Sequence, residues 1–322
     1  MLPDSAGRRA ALPLGGMLAA LLLAGLACAG EQEHGDASFR VEYQYIRTGD
    51  FYDDSPFFVS GGDVGETDTH ALLFSLDYAL NERWSVFASV PYIRKRHQGT
   101  RPHDFTEFVT FDPPDRSLVD DGDFHGGFQD FTLGVEYRFA IGPAIVSPFL
   151  SYGVPTHEYP FYGKAIIGKN LWQVTAGAQL EYQPYFSDWY FGGSVAHVFS
   201  EEPLGVNVDH WLLSGSAGYF FGQRLLGRVF VVRKDSPHGL RLPGDFTDSP
   251  TYQDPSDFDT ELWWQHDRVL AHSFTNVGIG IDYVVSPRLQ IAGQTFRTVD
   301  ADQSNEIDYA VTFAVTVGFA GE

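Results

Sequence analysis

Hydrophobic and polar residues alternate along most of the chain beyond residue 37. In residues 309–319, one set of alternate positions holds only Tyr, Val and Phe, and the other holds only Ala, Thr and Gly. Residues 72–80 and 131–139 repeat the pattern, and their charged side chains occur only in the second set. Because successive side chains of a β-strand point to opposite faces, the pattern predicts strands with one apolar and one polar face.

The same alternation predicts twelve strands. They lie near residues 38–47, 69–80, 84–93, 130–140, 144–155, 170–182, 188–199, 210–221, 225–234, 272–283, 288–297 and 307–319. Tight turns are predicted at one end of the strands, as at 81–83 and 142–143, and long loops at the other, at 48–68, 94–129 and 235–271. Outer-membrane barrels typically have an even number of strands, short periplasmic turns and long extracellular loops.

Aromatic residues collect at the ends of the predicted strands. They include Tyr78, Trp84, Tyr92, Tyr137, Trp172, Tyr182, Trp189, Trp211, Tyr219, Tyr283 and Tyr309. Such positions are typical of the aromatic belts at the two membrane surfaces, whereas a soluble sandwich places its aromatics in mid-strand. We therefore predict an all-β protein, a transmembrane antiparallel up-and-down β-barrel of about twelve strands.

Residues 1–29 have the three parts of a secretory signal peptide. Arg8 and Arg9 precede an apolar run that ends at Ala27-Cys28-Ala29. We predict cleavage after Ala29, which leaves residues 30–322 as an outer-membrane barrel of a Gram-negative bacterium. The alternatives are a lipoprotein modified at Cys28 and an uncleaved membrane anchor; the glycines that interrupt the apolar run argue against the anchor.

Composition excludes several classes of function. The 322 residues carry 21 Lys and Arg against 42 Asp and Glu, for a net charge of -21, which argues against nucleic acid as a partner. The histidines at 97, 103, 125 and 157 lack the spacing of zinc ligands, so no metal or other cofactor is expected. The chain has no nucleophile elbow, although His197 lies on the apolar face of its strand, where a lipid hydrolase of this fold would place it. We expect no enzyme, with a lipid hydrolase as the least favoured alternative.

Three stretches resemble a family of outer-membrane barrels described as involved in the meta-pathway of phenol degradation. They are residues 80–92, from Leu-Asn-Glu-Arg-Trp to Val-Pro-Tyr, residues 127–138, Gly-Phe-Gln-Asp-Phe-Thr-Leu-Gly-Val-Glu-Tyr-Arg, and residues 153–156, Gly-Val-Pro-Thr. The family usually has Gly where Gln129 and His157 stand here. The resemblance implies a barrel that transports small organic solutes, with aromatic compounds as the expected class.

The polar faces of the strands predict the lining of the barrel lumen. The expected pore-lining residues are Arg40, Glu42, Asp77, Glu136, Arg138, Gln179, Glu181 and Asp282. In one interpretation they form a constriction that selects solutes by charge and size. In the other they form a paired network that only satisfies buried polar groups inside a plugged barrel.

The loop predicted at 94–129 combines cationic and aromatic residues. The loop is predicted to fold inward as a plug. Its cations and aromatic rings would then suit aromatic or apolar solutes. The candidate plug residues are Arg94, Arg96, Phe105, Phe108 and Phe111. Trp263 and Trp264 are candidates for the same lid. The alternative is a loop whose aromatic residues pack only against one another.

The predicted outer loops are acidic. Their carboxylates include Asp53, Asp54, Asp120, Asp121, Asp123, Asp257 and Asp259. Such oxygen ligands could hold Ca²⁺ or Mg²⁺ against lipopolysaccharide, but a solvated surface is the simpler interpretation.

The sequence therefore predicts an outer-membrane channel for passive uptake or efflux of small organic solutes, such as aromatic or hydrophobic ones. Its expected partners are outer-membrane lipid, lipopolysaccharide, the barrel-assembly machinery and a small-molecule solute. The main alternative is a structural or surface-binding barrel that transports nothing.

Overall fold

The structure is a computed structural model that describes residues 34–52, 65–99, 119–241, 262 and 265–320. The predicted signal peptide lies outside these residues, as do Phe105, Phe108, Phe111, Trp263 and Trp264 and the carboxylates at 53, 54, 257 and 259. Cleavage after Ala29 therefore stays a prediction.

Nearly all described regular structure is β. The strands are β1 (Ala37–Tyr52), β2 (Glu66–Ala79), β3 (Trp84–Gln98), β4 (His125–Phe128), β5 (Asp130–Tyr137), β6 (Phe139–Ile141), β7 (Ala144–Pro155), β8 (Gln173–Tyr182), β9 (Trp189–Ser200), β10 (His210–Phe221), β11 (Leu225–Asp235), β12 (Ser273–Ser286), β13 (Leu289–Asp302) and β14 (Ser304–Phe319). A 3-10 helix at Pro203–Gly205 and one short helix, α1 (His266–Val269), lie in the connections. Among the residues that the structure describes, no helix is long and apolar enough to cross a membrane.

The strands close into a twelve-stranded antiparallel barrel. Segments β4, β5 and β6 act as one barrel strand that is interrupted at Gln129 and Arg138, and together they pair with β3 and β7. Strand β1 pairs with β2 on one side and with β14 on the other, where Ala37 opposes Phe319. This last pairing removes both sheet edges, as a barrel in a membrane requires. The predicted twelve strands and fold class are confirmed.

The apolar face of the strands is the outer face of the barrel. Leu133 and Phe313 remain 54% and 53% exposed, although a sandwich would seal such residues between its two sheets. Aromatic side chains such as Trp84, Trp189 and Trp211 lie exposed toward the strand ends. The outer surface therefore has the apolar band and aromatic belts of a transmembrane barrel.

Several strands extend further toward the long-loop end than predicted. Strand β3 continues through Gln98, so Arg94 and Arg96 lie in a barrel strand, opposite His70 and Asp68 of β2, and not in a loop. Strands β13 and β14 meet in a tight turn at Gln303, whose φ is 52°. Above the apolar band the outward side chains become polar, so the hydrophobic pattern stops while the backbone pairing continues.

Adjacent residues on opposite faces of β8 provide a test of this sidedness. Ala178 opposes the outward residues Val195 and Pro148, whereas Gln179 faces the lumen. We expect Ala178→Arg to lower the free energy of unfolding by about 2–4 kcal/mol, because it places a charge in lipid near mid-membrane. Gln179→Arg, the matched control, should cost much less. Urea-induced unfolding in lipid vesicles measures both, and equal losses would contradict the assigned faces.

Candidate solute pathway

The inward side chains form three layers between the short-turn end and the long-loop end of the barrel. A polar layer, which we call the vestibule, lies toward the short turns. A layer of apolar side chains, the belt, lies in the middle, and inward-folded loops, the plug, fill the long-loop end. A solute that crosses the barrel lengthwise meets all three.

The eight pore-lining residues predicted from the sequence all lie on the lumen side, toward the short turns. Arg40 and Glu42, two residues apart on β1, form an ion pair with a nitrogen–oxygen distance of 2.5 Å. Asp77 on the neighbouring β2 accepts a hydrogen bond of 3.5 Å from Ser38 and stays exposed to the lumen. Whether these residues guide a solute stays a prediction.

A second group of charges surrounds Arg138, at the interruption between β5 and β6. The Arg138 guanidinium lies close enough to Glu136 and to Glu181 of β8 to interact electrostatically with both. The hydroxyl of Tyr190 on β9 lies near the same charges. Each carboxylate in this part of the vestibule therefore has a cation nearby, as the paired-network interpretation expects.

The most buried charge pair of the vestibule includes a residue that sequence analysis missed. Arg228 on β11 donates to Asp282 of β12 over 2.9 Å and to the side-chain carbonyl of Gln294 on β13 over 2.9 Å. Its guanidinium also lies 5.2 Å from the ring centre of Phe230. Arg228 is the lone charge between Leu225 and Val232, and a charge within an apolar run of a membrane strand must face the lumen. That signal was present in the sequence.

The belt is one cluster of buried apolar side chains inside the barrel. Its larger members are Ile46, Phe149, Val198, Leu212, Phe230, Val232, Phe274, Phe296 and Ile307, and the half-buried Phe87 packs against it. Neighbouring rings meet in edge-on contacts, with centres 6.5 Å apart for Phe87 and Phe149 and 6.3 Å apart for Phe230 and Phe296. The lumen therefore contains an apolar cluster where the sequence predicted a polar face, with buried polar side chains such as Gln44 and Asn276 beside it.

Inward-facing glycines make room for the belt rings against the barrel wall. A Cβ at Gly134 would overlap the ring of Phe87, and a Cβ at Gly278 would overlap the ring of Phe230. At Gly177, an added Cβ would lie 2.8 Å from the ring tip of Phe149. The rings thus lie over bare backbone, which lets several aromatic side chains fit inside a narrow barrel.

The plug is built from three connections that fold into the lumen. From the loop at 156–172, Tyr159 and Ile167 pack against Ala71 and Ile93, which are inward residues of β2 and β3. In the same loop, Ala165 and Ile166 pack against Val119, in the segment before β4. The third connection contributes residues 236–241 and 265–272, in which Val269, Leu270 and Ala271 are buried.

Two buried aspartates fix the plug loops to one another. The Asp120 carboxylate accepts hydrogen bonds of 2.8 Å from the backbone N–H groups of Lys164 and Ala165. The Asp267 carboxylate, on α1, accepts one of 3.3 Å from the backbone N–H of Gly163. The prediction that Asp120 belongs to a solvated acidic surface was therefore wrong, because its carboxylate satisfies backbone groups inside the barrel.

The plug does not use Arg94 and Arg96 as predicted. Both side chains point outward from β3 and lie over the ring of Phe124, at 5.2 and 4.6 Å from its centre, and Arg96 also pairs with Asp68 at 2.8 Å. Alternation along β3 instead turns Lys95 and His97 inward. The other predicted plug residues, Phe105, Phe108 and Phe111, lie outside the described residues.

The geometry around His197 bears on the hydrolase alternative. Its ring packs on the outer face between Phe199 and Trp211, with centres 4.4 and 4.6 Å away, while Ser194 faces the lumen and hydrogen bonds Ser214 over 2.7 Å. The serine and the histidine therefore lie on opposite faces of β9. In the described part of the chain, no three His, Cys, Asp or Glu side chains are grouped to hold a metal ion.

Comparison with known proteins finds the fold in solved structures. The chain is similar to an outer-membrane channel from Pseudomonas putida F1, with a TM-score of 0.66 and 12% identity over 92% of this chain and 99% of that chain. The translocator domain of the autotransporter NalP from Neisseria meningitidis gives a TM-score of 0.49, with 10% identity over 92% of this chain and 91% of that one. The NanC porin gives a TM-score of 0.47, with 8% identity over 87% of this chain and 98% of that chain. The first of these similarities supports the fold.

No protein-family model and no curated protein matches the sequence. The resemblance to the family described as involved in the meta-pathway of phenol degradation therefore stays a prediction.

The Arg228–Asp282 pair allows a test of the vestibule. We expect Asp282→Asn to destabilise the barrel by about 3–5 kcal/mol, because it leaves the buried guanidinium without its counter-charge. Asp77→Asn, at the exposed Asp77, should cost less than about 1 kcal/mol. Urea-induced unfolding in lipid vesicles measures both. Equal effects of the two changes would show that Asp282 is not a buried ionic partner.

Proposed function

We propose that the protein is an outer-membrane channel for passive movement of small organic solutes, with aromatic or hydrophobic ones as the preferred class. The observation that carries this proposal is the belt, an apolar layer between two polar regions of one lumen. Moving an ion from water into such a layer costs several kcal/mol, whereas apolar surface gains about 25 cal/mol for each Å² removed from water. The belt thus disfavours ions and favours apolar rings.

The narrowness of the barrel is consistent with this solute class. Barrels of about eight strands are filled by side chains, and those with sixteen to eighteen strands leave a wide aqueous pore. Twelve strands with inward Phe rings leave room only for small molecules. The fold shared with the Pseudomonas putida channel supports a channel function, and the sequence resemblance to the phenol-degradation family supports aromatic compounds. In this proposal, the outer face contacts outer-membrane lipid and lipopolysaccharide.

A barrel that transports nothing remains the rival function, because the plug and the paired vestibule charges also suit a closed structural protein. Transport predicts that the purified protein admits small solutes into liposomes. A barrel that passes neither ions nor solutes in planar bilayers and liposomes would contradict the proposal.

Removal of a belt ring tests the pathway directly. We expect Phe230→Ala to raise the rate of liposome swelling in a neutral aromatic solute such as nicotinamide several-fold, because it opens a gap in the belt. Phe191→Ala, which removes a ring from the outer face of β9, should leave the rate unchanged. Protein-free liposomes give the baseline. Equal rates for the wild type and both variants would show that solutes do not pass the belt.

A further inference from the structure

A groove crosses the outer face of the barrel on the side formed by β10 to β14. It has a volume of about 750 Å³ and lies between two adjacent rows of outward side chains. In one row, neighbouring strands pair in register at Gly215, Val231, Val277 and Arg297. The other row lies two residues nearer the short turns on each strand and begins at Ala217 of β10. The groove is therefore part of the lipid-facing wall and lies outside the lumen.

The length and lining of the groove suit a hydrocarbon chain. The groove crosses five strands that lie about 4.8 Å apart, so it is about 19 Å long, comparable with an extended acyl chain. Val231 and Val277 on one side and Ile279 on the other keep exposed apolar surface that a hydrocarbon chain can cover. Among the described lining residues, only Arg297 and Asp308 are charged. Burial of a hydrocarbon chain between these side chains is favourable only where a lipid or a similar molecule supplies one.

The groove contains an arginine without a counter-charge. Arg297 is exposed on the outer face of β13, and in the described part of the chain no carboxylate pairs with it. By contrast, Arg233, which is outward on β11 at the same end of the barrel, pairs with Asp235 at 3.0 Å and with Asp300 at 3.4 Å. An arginine on a lipid-facing wall is costly unless water or an anion is within its reach. Arg297 is thus a cation beside an apolar groove that calls for an anionic partner.

The remaining residues at this end of the groove leave Arg297 available to a lipid headgroup. The carboxylate of Asp308 lies against β1, since an added Cβ at Gly49 would be 3.0 Å from its Oδ2, and β1 is on the far side of β14 from β13. Tyr309 also lines the groove and exposes 44% of its surface on the outer face. Tyrosine rings of membrane proteins collect at the level of the lipid headgroups. Arg297 and Tyr309 therefore lie where lipid phosphates are expected.

We propose that the groove binds an acyl chain of lipopolysaccharide and that Arg297 holds a phosphate of its lipid A part. The planar guanidinium can donate two parallel hydrogen bonds to phosphate oxygens. Arg297 lies toward the long-loop end of β13, and the long loops of such barrels are extracellular. Lipopolysaccharide forms the outer leaflet at that end, whereas phospholipid forms the inner leaflet. This inference rests on the outer-membrane location within the proposed function, and it names a lipid partner without depending on transport.

Native mass spectrometry of the purified protein tests the phosphate contact, because it counts the lipids that stay bound after the detergent is removed. The wild type should retain one molecule of diphosphoryl lipid A, and lipid A without its phosphates should bind at least about tenfold more weakly. Arg297→Met should weaken binding of diphosphoryl lipid A about tenfold or more and leave binding of the dephosphorylated form unchanged. Arg288→Met, which removes a charge from an exposed turn at the opposite end, should bind both forms like the wild type.

A second pair of variants tests the acyl-chain contact. Gly215→Leu places a side chain in the groove, and the barrel should tolerate it because an added Cβ would lie 3.6 Å from Val231, an ordinary contact. We expect it to weaken binding of both forms of lipid A several-fold. Gly293→Leu is the matched control, since Gly293 is outward on β13 beyond the groove and an added Cβ there meets nothing closer than 3.8 Å. It should bind lipid A like the wild type.

Equal binding of lipid A with and without phosphate to the wild-type protein would overturn the proposal, and this result needs no variant to fold. Unchanged binding of diphosphoryl lipid A by a folded Arg297→Met protein would also overturn it. Phosphatidylglycerol retained as tightly as lipid A would contradict lipopolysaccharide as the occupant. Dimers that disappear in the Gly215→Leu protein would show that the groove receives a second copy of the chain instead.

Failure of the channel function is a separate result. A protein that admits no solute into liposomes can still retain lipid A through Arg297, and the lipid site then stands without transport. A protein that passes nicotinamide and retains no lipid A keeps the channel function and loses the lipid site.

Discussion

Lipid offers no hydrogen-bond partners, so every backbone N–H and C=O group in the membrane must find one within the protein. In this chain the pairing of β1 with β14 completes that requirement, because it joins the two ends of a sheet that would otherwise expose two edges. Closure also fixes the two faces of each strand. Because one face of each strand contacts lipid, the side chains of the opposite face point into the lumen. The width of that lumen depends on the number of strands.

The width of that lumen explains the arrangement of its interior. In a barrel of this size, inward Phe side chains from different strands approach closely enough to form a single cluster, and glycines such as Gly134 and Gly278 let the rings lie against the wall. Charged residues are confined to either side of this cluster. Toward the short turns they pair with one another, as Arg228 does with Asp282, and toward the long loops they are covered by the plug. The order of polar, apolar and polar layers follows from this packing.

Much of the fold was predictable from the sequence because a strand exposed to lipid on one face keeps a strict period of two. The twelve strands and the inward position of residues such as Glu136 and Asp282 followed from that period alone. The belt was not predictable in the same way. In residues 225–232 both faces are largely apolar, so alternation does not separate a ring that faces lipid, like Phe191, from one that faces the lumen, like Phe230.

The plug depends on contacts between residues distant in sequence, which local patterns do not encode. The contacts of Tyr159 and Ile167 with Ala71 and Ile93 join two parts of the chain that only the closed barrel brings together. By contrast, strand alternation alone decides which cationic side chain β3 turns inward, and it is Lys95, not Arg94 or Arg96. The strand predicted from the sequence ended five residues early, at residue 93 and not at Gln98, so its alternation was not extended to Arg94, Lys95 and Arg96.

Accessibility of single cysteines to a water-soluble thiosulfonate reagent tests the layered lumen most directly, in a protein whose only native cysteine, Cys28, is replaced by Ser. Cysteine should be placed at Glu181 in the vestibule, at Val232 in the belt and at Ile279 on the outer face. The account predicts rapid labelling of Glu181→Cys and little labelling of Val232→Cys or Ile279→Cys, the last of which should react with a lipid-soluble maleimide. Labelling of Val232→Cys as fast as Glu181→Cys would show a water-filled lumen and contradict the apolar belt.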